Sequence, residues 1–97
     1  MIEHMVIFKW KSDATPQQIE SAISALRTLA AIPGVVAISV GNTVTDRGQG
    51  YTTGLVVRLD DYDTLAIYAQ HPMHLAVLSD SIIPIKDNII AIDYVVE

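Results

Sequence analysis

At 97 residues, of which 51% are apolar and 18% charged, the chain has room for one domain and carries more hydrophobic material than so small a domain covers by itself. A formal net charge of −5 has the wrong sign for a phosphate backbone, and no cluster of Lys and Arg offsets it, which excludes a nucleic-acid binder. The absence of cysteine excludes a disulfide framework, a thiol nucleophile and a thiolate metal site.

Glu3 to Lys11 alternates, with His4, Val6, Phe8 and Trp10 on one side of a first strand and Met5, Ile7 and Lys9 on the other. The strand begins almost at Met1, leaving no room for a signal peptide. No apolar run approaches the ~18–20 residues that span a bilayer. These features read as a soluble, cytoplasmic protein without a membrane partner. Thr15-Pro16-Gln17-Gln18 supplies a capping hydroxyl, a proline at the first helical position and a Gln to close a capping box. A helix follows, with Ile19, Ala22, Ile23, Leu26 and Leu29 as its apolar stripe, and Pro33-Gly34 ends it.

Val35–Val40 and Tyr51–Leu59 are β-branched runs that read as a hairpin with a flexible tip. Asp60, Asp61 and Asp63 suit the start of a second helix running to about Gln70. Pro72 breaks it and opens a new helical turn, with Leu75, Leu78, Ile82 and Ile85 continuing a helical stripe whose end Pro84 frays. Asn88–Val96 alternates again as a fourth strand.

This order predicts one α+β domain over residues 1–97, a ferredoxin-like βαββαβ split sheet with both helical segments on one face. The other face is then open. Yet apolar residues occupy both sides of three strands: Met5 and Ile7 against Val6 and Phe8, Val36 and Ile38 against Val35 and Val40, Ile89 and Val95 against Ile90 and Ile92. A second copy packed sheet on sheet is the simplest cover, so the chain is expected to be a homodimer.

His4-Met5-Val6-Ile7-Phe8-Lys9-Trp10-Lys11, Gly50-Tyr51-Thr52, the His71-Pro72-Met73-His74 turn and Ile92-Asp93-Tyr94 together resemble the stress-responsive dimeric α/β barrel (Dabb) family along essentially the whole chain. The resemblance implies a barrel of two sheets and a small-molecule pocket between sheet and helices in each subunit. It extends distantly to a plant polyketide cyclase of that family, which closes a ring without a cofactor. That relative implies Tyr68, His74 and His4 as catalytic groups, with Thr53, Asp93 and His71 as substrate contacts. Thr53 stands where plant relatives carry a His, so no imidazole base is available there, and Ala25 stands where the cyclase has a pocket Tyr.

Several residues support two readings. Tyr68 and His74 lie across the Pro72 break, which can bring them together as an acid/base pair; equally, Tyr68 can pack on the sheet while His74 caps the new helical turn. His4 on an apolar strand face needs a polar partner, and Asp93 on a neighbouring strand is the candidate, as a structural pair or as part of the pocket. His71 and His74 lack a third ligand, so no transition-metal site is expected. The carbonyls of Leu29, Ile32 and Val35 at the end of the first helix could hold a hard cation, with solvent as the alternative cap. Gly48-Gln49-Gly50 is a hairpin tip, lacking the spacing of a phosphate loop, and no cofactor is expected.

Overall fold

A computed structural model describes residues Met1–Glu97. β1 (Ile2–Trp10) leads into α1 (Pro16–Arg27), a 3₁₀ turn (Thr28–Ala31), β2 (Val35–Asn42) and β3 (Thr53–Leu59). α2 (Tyr62–Gln70), α3 (Pro72–Val77), a π-helical turn (Leu78–Ile82) and β4 (Lys86–Val95) complete the chain. The sheet order is β2-β3-β1-β4, and every neighbouring pair is antiparallel. This is the expected ferredoxin-like arrangement. It follows from the two βαβ halves, because each helical crossover leaves space for one strand between those it joins.

The capping box forms as the sequence requires: the Thr15 hydroxyl accepts from Gln18 N–H at 3.1 Å and the Gln18 side chain accepts from Thr15 N–H at 2.9 Å. α1 buries Ala22, Ile23 and Leu26, then tightens into the 3₁₀ turn that buries Leu29. Gly34 follows at φ +93°, with Thr64 Cγ2 only 2.2 Å from where a Cβ would stand. This close approach seats the start of α2, whose cap Asp61 accepts from the Thr64 amide at 2.9 Å and its hydroxyl at 2.7 Å. The core lies between the helices and one face of the sheet, on Ile2, Val6, Phe8, Trp10, Leu55, Val57 and Leu59.

Three expectations shift. β3 starts at Thr53 instead of Tyr51, because Gln49 (φ 55°) and Gly50 (φ 91°) turn the chain so that Tyr51 N–H bonds Gly48 O at 3.0 Å. The helical stripe after Pro72 loses Leu75, which is 52% exposed, while Ile82 is fully buried. A wide turn in which Ile83 N–H reaches back to Leu78 O inserts an extra residue and advances the phase. In β2 an irregularity between Val35 and Ala37 places Val35, Ile38 and Val40 opposite Leu59, Val57 and Leu55, all on the helix side. The expectation had set Ile38 apart from Val35 and Val40, whereas strict alternation separates only Val35 from the other two. The open face of β2 is therefore left to Ala37, Ser39 and Gly41. Val95, opposite Ile2, also belongs to the helix side.

Candidate functional site

His4 points to the helix side near the start of β1, where its neighbours across the ladders are Val57 and Asp93. Residues directly opposite in an antiparallel pair share a face, so the carboxylate stands beside the imidazole, and His4 Nδ1 lies 2.5 Å from Asp93 Oδ1. The carboxylate accepts the Nδ1 proton, leaving Nε2 for any further partner. This is the neighbour that the strand pattern called for.

Tyr68, in the last turn of α2, lies over His4. Its ring centroid is 5.6 Å from that of His4 in an edge-on arrangement and 4.7 Å from that of His74. The approach of Tyr68 and His74 depends on the break. His71 is extended (ψ 137°), ends α2 and caps α3, where Pro72 takes the first position. The His71 ring is used in that cap, its Nδ1 accepting from Met73 N–H at 3.1 Å. His74 Nδ1 lies 2.9 Å from the Ala69 carbonyl, so Nδ1 carries the proton and Nε2 keeps a free lone pair.

Electrostatics assigns complementary roles. Burial lowers the His74 pKa from 6.5, opposed by the bond to Ala69 O and reinforced by the charge of His4, so the ring is neutral at pH 7 and able to accept a proton. Burial pushes the Tyr68 phenol up to about 12, so it stays protonated and able to donate. Its hydroxyl nevertheless has no partner, although the residue is only 1% exposed. A donor aimed at nothing and a free imidazole nitrogen in one aromatic cluster are the elements needed to hydrogen-bond a developing oxyanion and take up a proton.

The other expected contacts lie apart from this cluster. Thr53 sits opposite Phe8, roughly 13 Å along the sheet from His4 at ~3.3 Å per residue. Its hydroxyl is buried, accepting from Trp10 Nε1 at 2.8 Å and donating to Asn42 Oδ1 at 2.7 Å. Sequence reading missed this relay, whose only signal is that a buried indole N–H needs an acceptor. At the end of α1, Leu29 O accepts from Ile32 N–H and Ile32 O from Val35 N–H, each at 3.1 Å, so those two carbonyls already cap the turn. Clefts also open elsewhere, the largest of about 640 Å³ beside Lys9, Lys11, Gly50 and Asp87. One of about 360 Å³ separates α1 from the π-helical turn near Gln17, Ser21, Asp80 and Ser81, and another of about 310 Å³ opens on the uncovered sheet face beside Ile7, Gly41 and Gly54.

Residues 2–96 match the family model for the stress responsive A/B barrel domain. Over its full length the chain is 37% identical to one stress-response A/B barrel domain-containing protein of Arabidopsis thaliana, and 28% identical to a second protein of that description from the same plant. It spans 37% of the first and 48% of the second, less than half of each curated relative. Among solved structures it resembles a dimeric ferredoxin-like protein of unknown function from Thermobifida fusca, 32% identical with a TM-score of 0.87 over 98% of this chain and 90% of that one. A Dabb family protein with a ferredoxin-like fold from Mesorhizobium loti is 26% identical, with a TM-score of 0.83 over 99% and 96% of the two chains. No helix is long and apolar enough to cross a membrane.

Proposed function

The chain belongs to the stress responsive A/B barrel family, and from that premise we propose that it is a homodimeric barrel that binds a small carbonyl-bearing molecule at His4, Tyr68 and His74. The observation that carries this reading is the Tyr68 hydroxyl, buried without a hydrogen-bond partner. Leaving such a group unmet costs ~1–3 kcal/mol, and a ligand oxygen accepting from it removes that cost. His74 Nε2 is then the proton acceptor, and His4, oriented by Asp93, the second polar contact. If the site is catalytic, His74 takes a proton from the carbon beside the carbonyl while Tyr68 hydrogen-bonds the resulting enolate oxygen. Return of that proton to another carbon completes an isomerisation; in a condensation the enolate carbon instead attacks a second carbonyl carbon of the ligand, and the proton held on His74 goes to the alkoxide oxygen so formed, in neither case with a cofactor.

Dimerisation is supported by the exposed Ile7, Ile90, Ile92 and Tyr94 on the face that no helix covers, and by the dimeric relative. A cysteine-free chain needs no oxidising compartment, which fits the cytoplasmic location we include in this reading. A second, purely structural role is favoured by one observation: Tyr68 is 1% exposed, so the space between sheet and helices is closely filled. A thermal-shift screen of small aromatic ketones and β-keto acids separates the two. Stabilisation of the wild type that is lost in Tyr68→Phe and His74→Gln supports binding. A blank screen, or stabilisation unchanged by both variants, leaves the structural role.

A further inference from the structure

The cleft of about 640 Å³ at one end of the sheet is lined by charged groups of both signs: Lys9 and Lys11 at the exit of β1, Asp13 in the turn that follows, and Asp87 near the start of β4. Lys9 projects from the opposite side of β1 to His4 and stands five residues along it, roughly 16 Å at ~3.3 Å per residue, so the cleft is separate from the cluster around Tyr68. Opposite charges that share a cleft attract one another. These four nevertheless stay unpaired, the ion pairs of the chain being His4 with Asp93 and Glu3 with Arg58. Each lysine is held elsewhere. The Lys9 side chain lies across Gly50, where a Cβ would stand 2.9 Å from its Cε and 3.4 Å from its Nζ. Its ammonium is 5.0 Å from the centre of the Tyr51 ring, a cation–π contact, and the Tyr51 hydroxyl is fixed in turn by the Asn88 amide. Lys11 Nζ donates to the Pro84 carbonyl at 3.3 Å. Asp87 is placed by a bulge. Lys9 pairs with Asn88 and Trp10 with Lys86, which leaves Asp87 as the extra residue on β4, and a bulge of this kind re-aims the side chain it adds.

We propose that this cleft binds a free α-amino acid as its zwitterion, the carboxylate on Lys9 and Lys11 and the ammonium on Asp87 and Asp13. The two lysines emerge on one side of the strand about 7 Å apart, within reach of the two oxygens of a single carboxylate. A simple anion gains the lysines but meets two carboxylates. A simple amine gains the aspartates but meets two ammoniums. A ligand that carries both charges on neighbouring atoms satisfies both pairs with charge-assisted hydrogen bonds. Neither lysine has to give up its present contact, because the Tyr51 ring takes no donor proton and the Pro84 carbonyl takes one of the three on Lys11. No ion pair within the protein has to break first, so the separation of the four charges is a preorganised feature of the cleft. The lining offers one large apolar side chain, Trp10, itself only 8% exposed. Recognition is therefore of the α-amino and α-carboxylate groups rather than of the amino-acid side chain.

The test titrates alanine into the isotope-labelled full chain at low ionic strength, where exposed charges are least screened, and follows the backbone amide resonances of Gly50 and Asp87. Saturable shifts at both are expected, with propionate and propylamine each binding about ten-fold more weakly or worse. Propionate binding as tightly as alanine would make the cleft a plain anion site, and propylamine doing so would make it a plain amine site. No saturable shift with alanine would mean four solvated charges and no site. Each of these three outcomes overturns the proposal. Two variants localise the ligand. Lys9→Met and Asp87→Asn should each weaken alanine binding about ten-fold. Removing one sign of charge should also relieve repulsion of the matching fragment, so Asp87→Asn binds propionate more tightly than wild type does, and Lys9→Met binds propylamine more tightly. Alanine affinity unchanged in both variants, with wild-type circular dichroism, refutes the placement. The comparison of the three ligands on the wild type decides the matter if a variant does not fold.

Discussion

Removing a single oxygen from Tyr68 should make the protein more stable and less able to bind. In Tyr68→Phe the ring keeps its contacts with His74 at 4.7 Å and His4 at 5.6 Å between centroids, so only the hydroxyl is lost. Relief of an unpartnered buried hydroxyl is worth ~1–3 kcal/mol. The vacated volume of about 10 Å³, at ~24 cal/mol per Å³ of cavity, takes back only about 0.2 kcal/mol. A net gain of about 1–3 kcal/mol corresponds to roughly 4–8 °C in Tm per kcal/mol for a domain near 100 residues. Urea and thermal unfolding at one fixed protein concentration measure it, since a dimer's stability depends on concentration. A second signature lies at high pH. The folded phenol titrates near 12 and the unfolded one near 10, so between these values the unfolded state has released a proton that the folded state retains. Stability must fall across that window by up to ~1.4 kcal/mol per pH unit, in the wild type but not in the variant. A destabilised Tyr68→Phe would refute the reasoning, because it would mean that the hydroxyl has a partner in solution and no donor waits for a ligand.

Further substitutions test the surrounding framework. Thr53→Val leaves the Trp10 indole N–H and the Asn42 side chain without their bonds to the hydroxyl, and should cost about 2 kcal/mol in urea unfolding followed by Trp10 fluorescence. Gly34→Ala meets both a φ of +93° and the Thr64 methyl, so a loss of about 2 kcal/mol or more is expected by the same assay. The lowered His74 pKa gives stability that is fully present above the unfolded value near 6.5 and declines as pH falls through the folded value. A Tm series from pH 7.5 to pH 5 should therefore slope downward in wild type and less so in His74→Gln.

The fold was legible because its signals are local and mutually consistent: a capping box at Thr15 and Gln18, Pro72 breaking a helix, and alternation in β1 and β4. Errors arose where the backbone departs from a fixed period. The irregularity at Val35–Ala37 moved Ile38 and Val40 to the same side as Val35, and the π-helical turn rotated Leu75 out of the stripe. Neither leaves a trace in hydrophobic periodicity. His4 and Asp93 could be brought together from strand order alone, and Tyr68 and His74 from the proline break. Thr53, Glu3 and Arg58 could not, because their partners depend on the register between distant strands, which only packing sets.

The same strands serve both faces. His4 alternates with Glu3 and Met5 along β1, and Asp93 lies between Ile92 and Tyr94 on β4, so the groups proposed to hold a ligand and those proposed to hold a second copy are one residue apart. In the single chain β4 is an edge strand, hydrogen-bonded on one side only, and Asp93 is exposed there. Its hold on the His4 ring is thus no firmer than the edge that carries it. A second copy packed over Ile90, Ile92 and Tyr94 would stiffen that edge and, through Asp93, the imidazole beneath Tyr68. Dissociation should then weaken ligand binding at a site no interface residue touches. Titration of a screened ligand into folded, monomeric Ile92→Asp is expected to show about ten-fold lower affinity than the dimer, with a broadened His4 ring resonance in NMR spectra. Equal affinity in the monomer would mean that the two faces of the sheet work independently and that Asp93 is held by β1 alone.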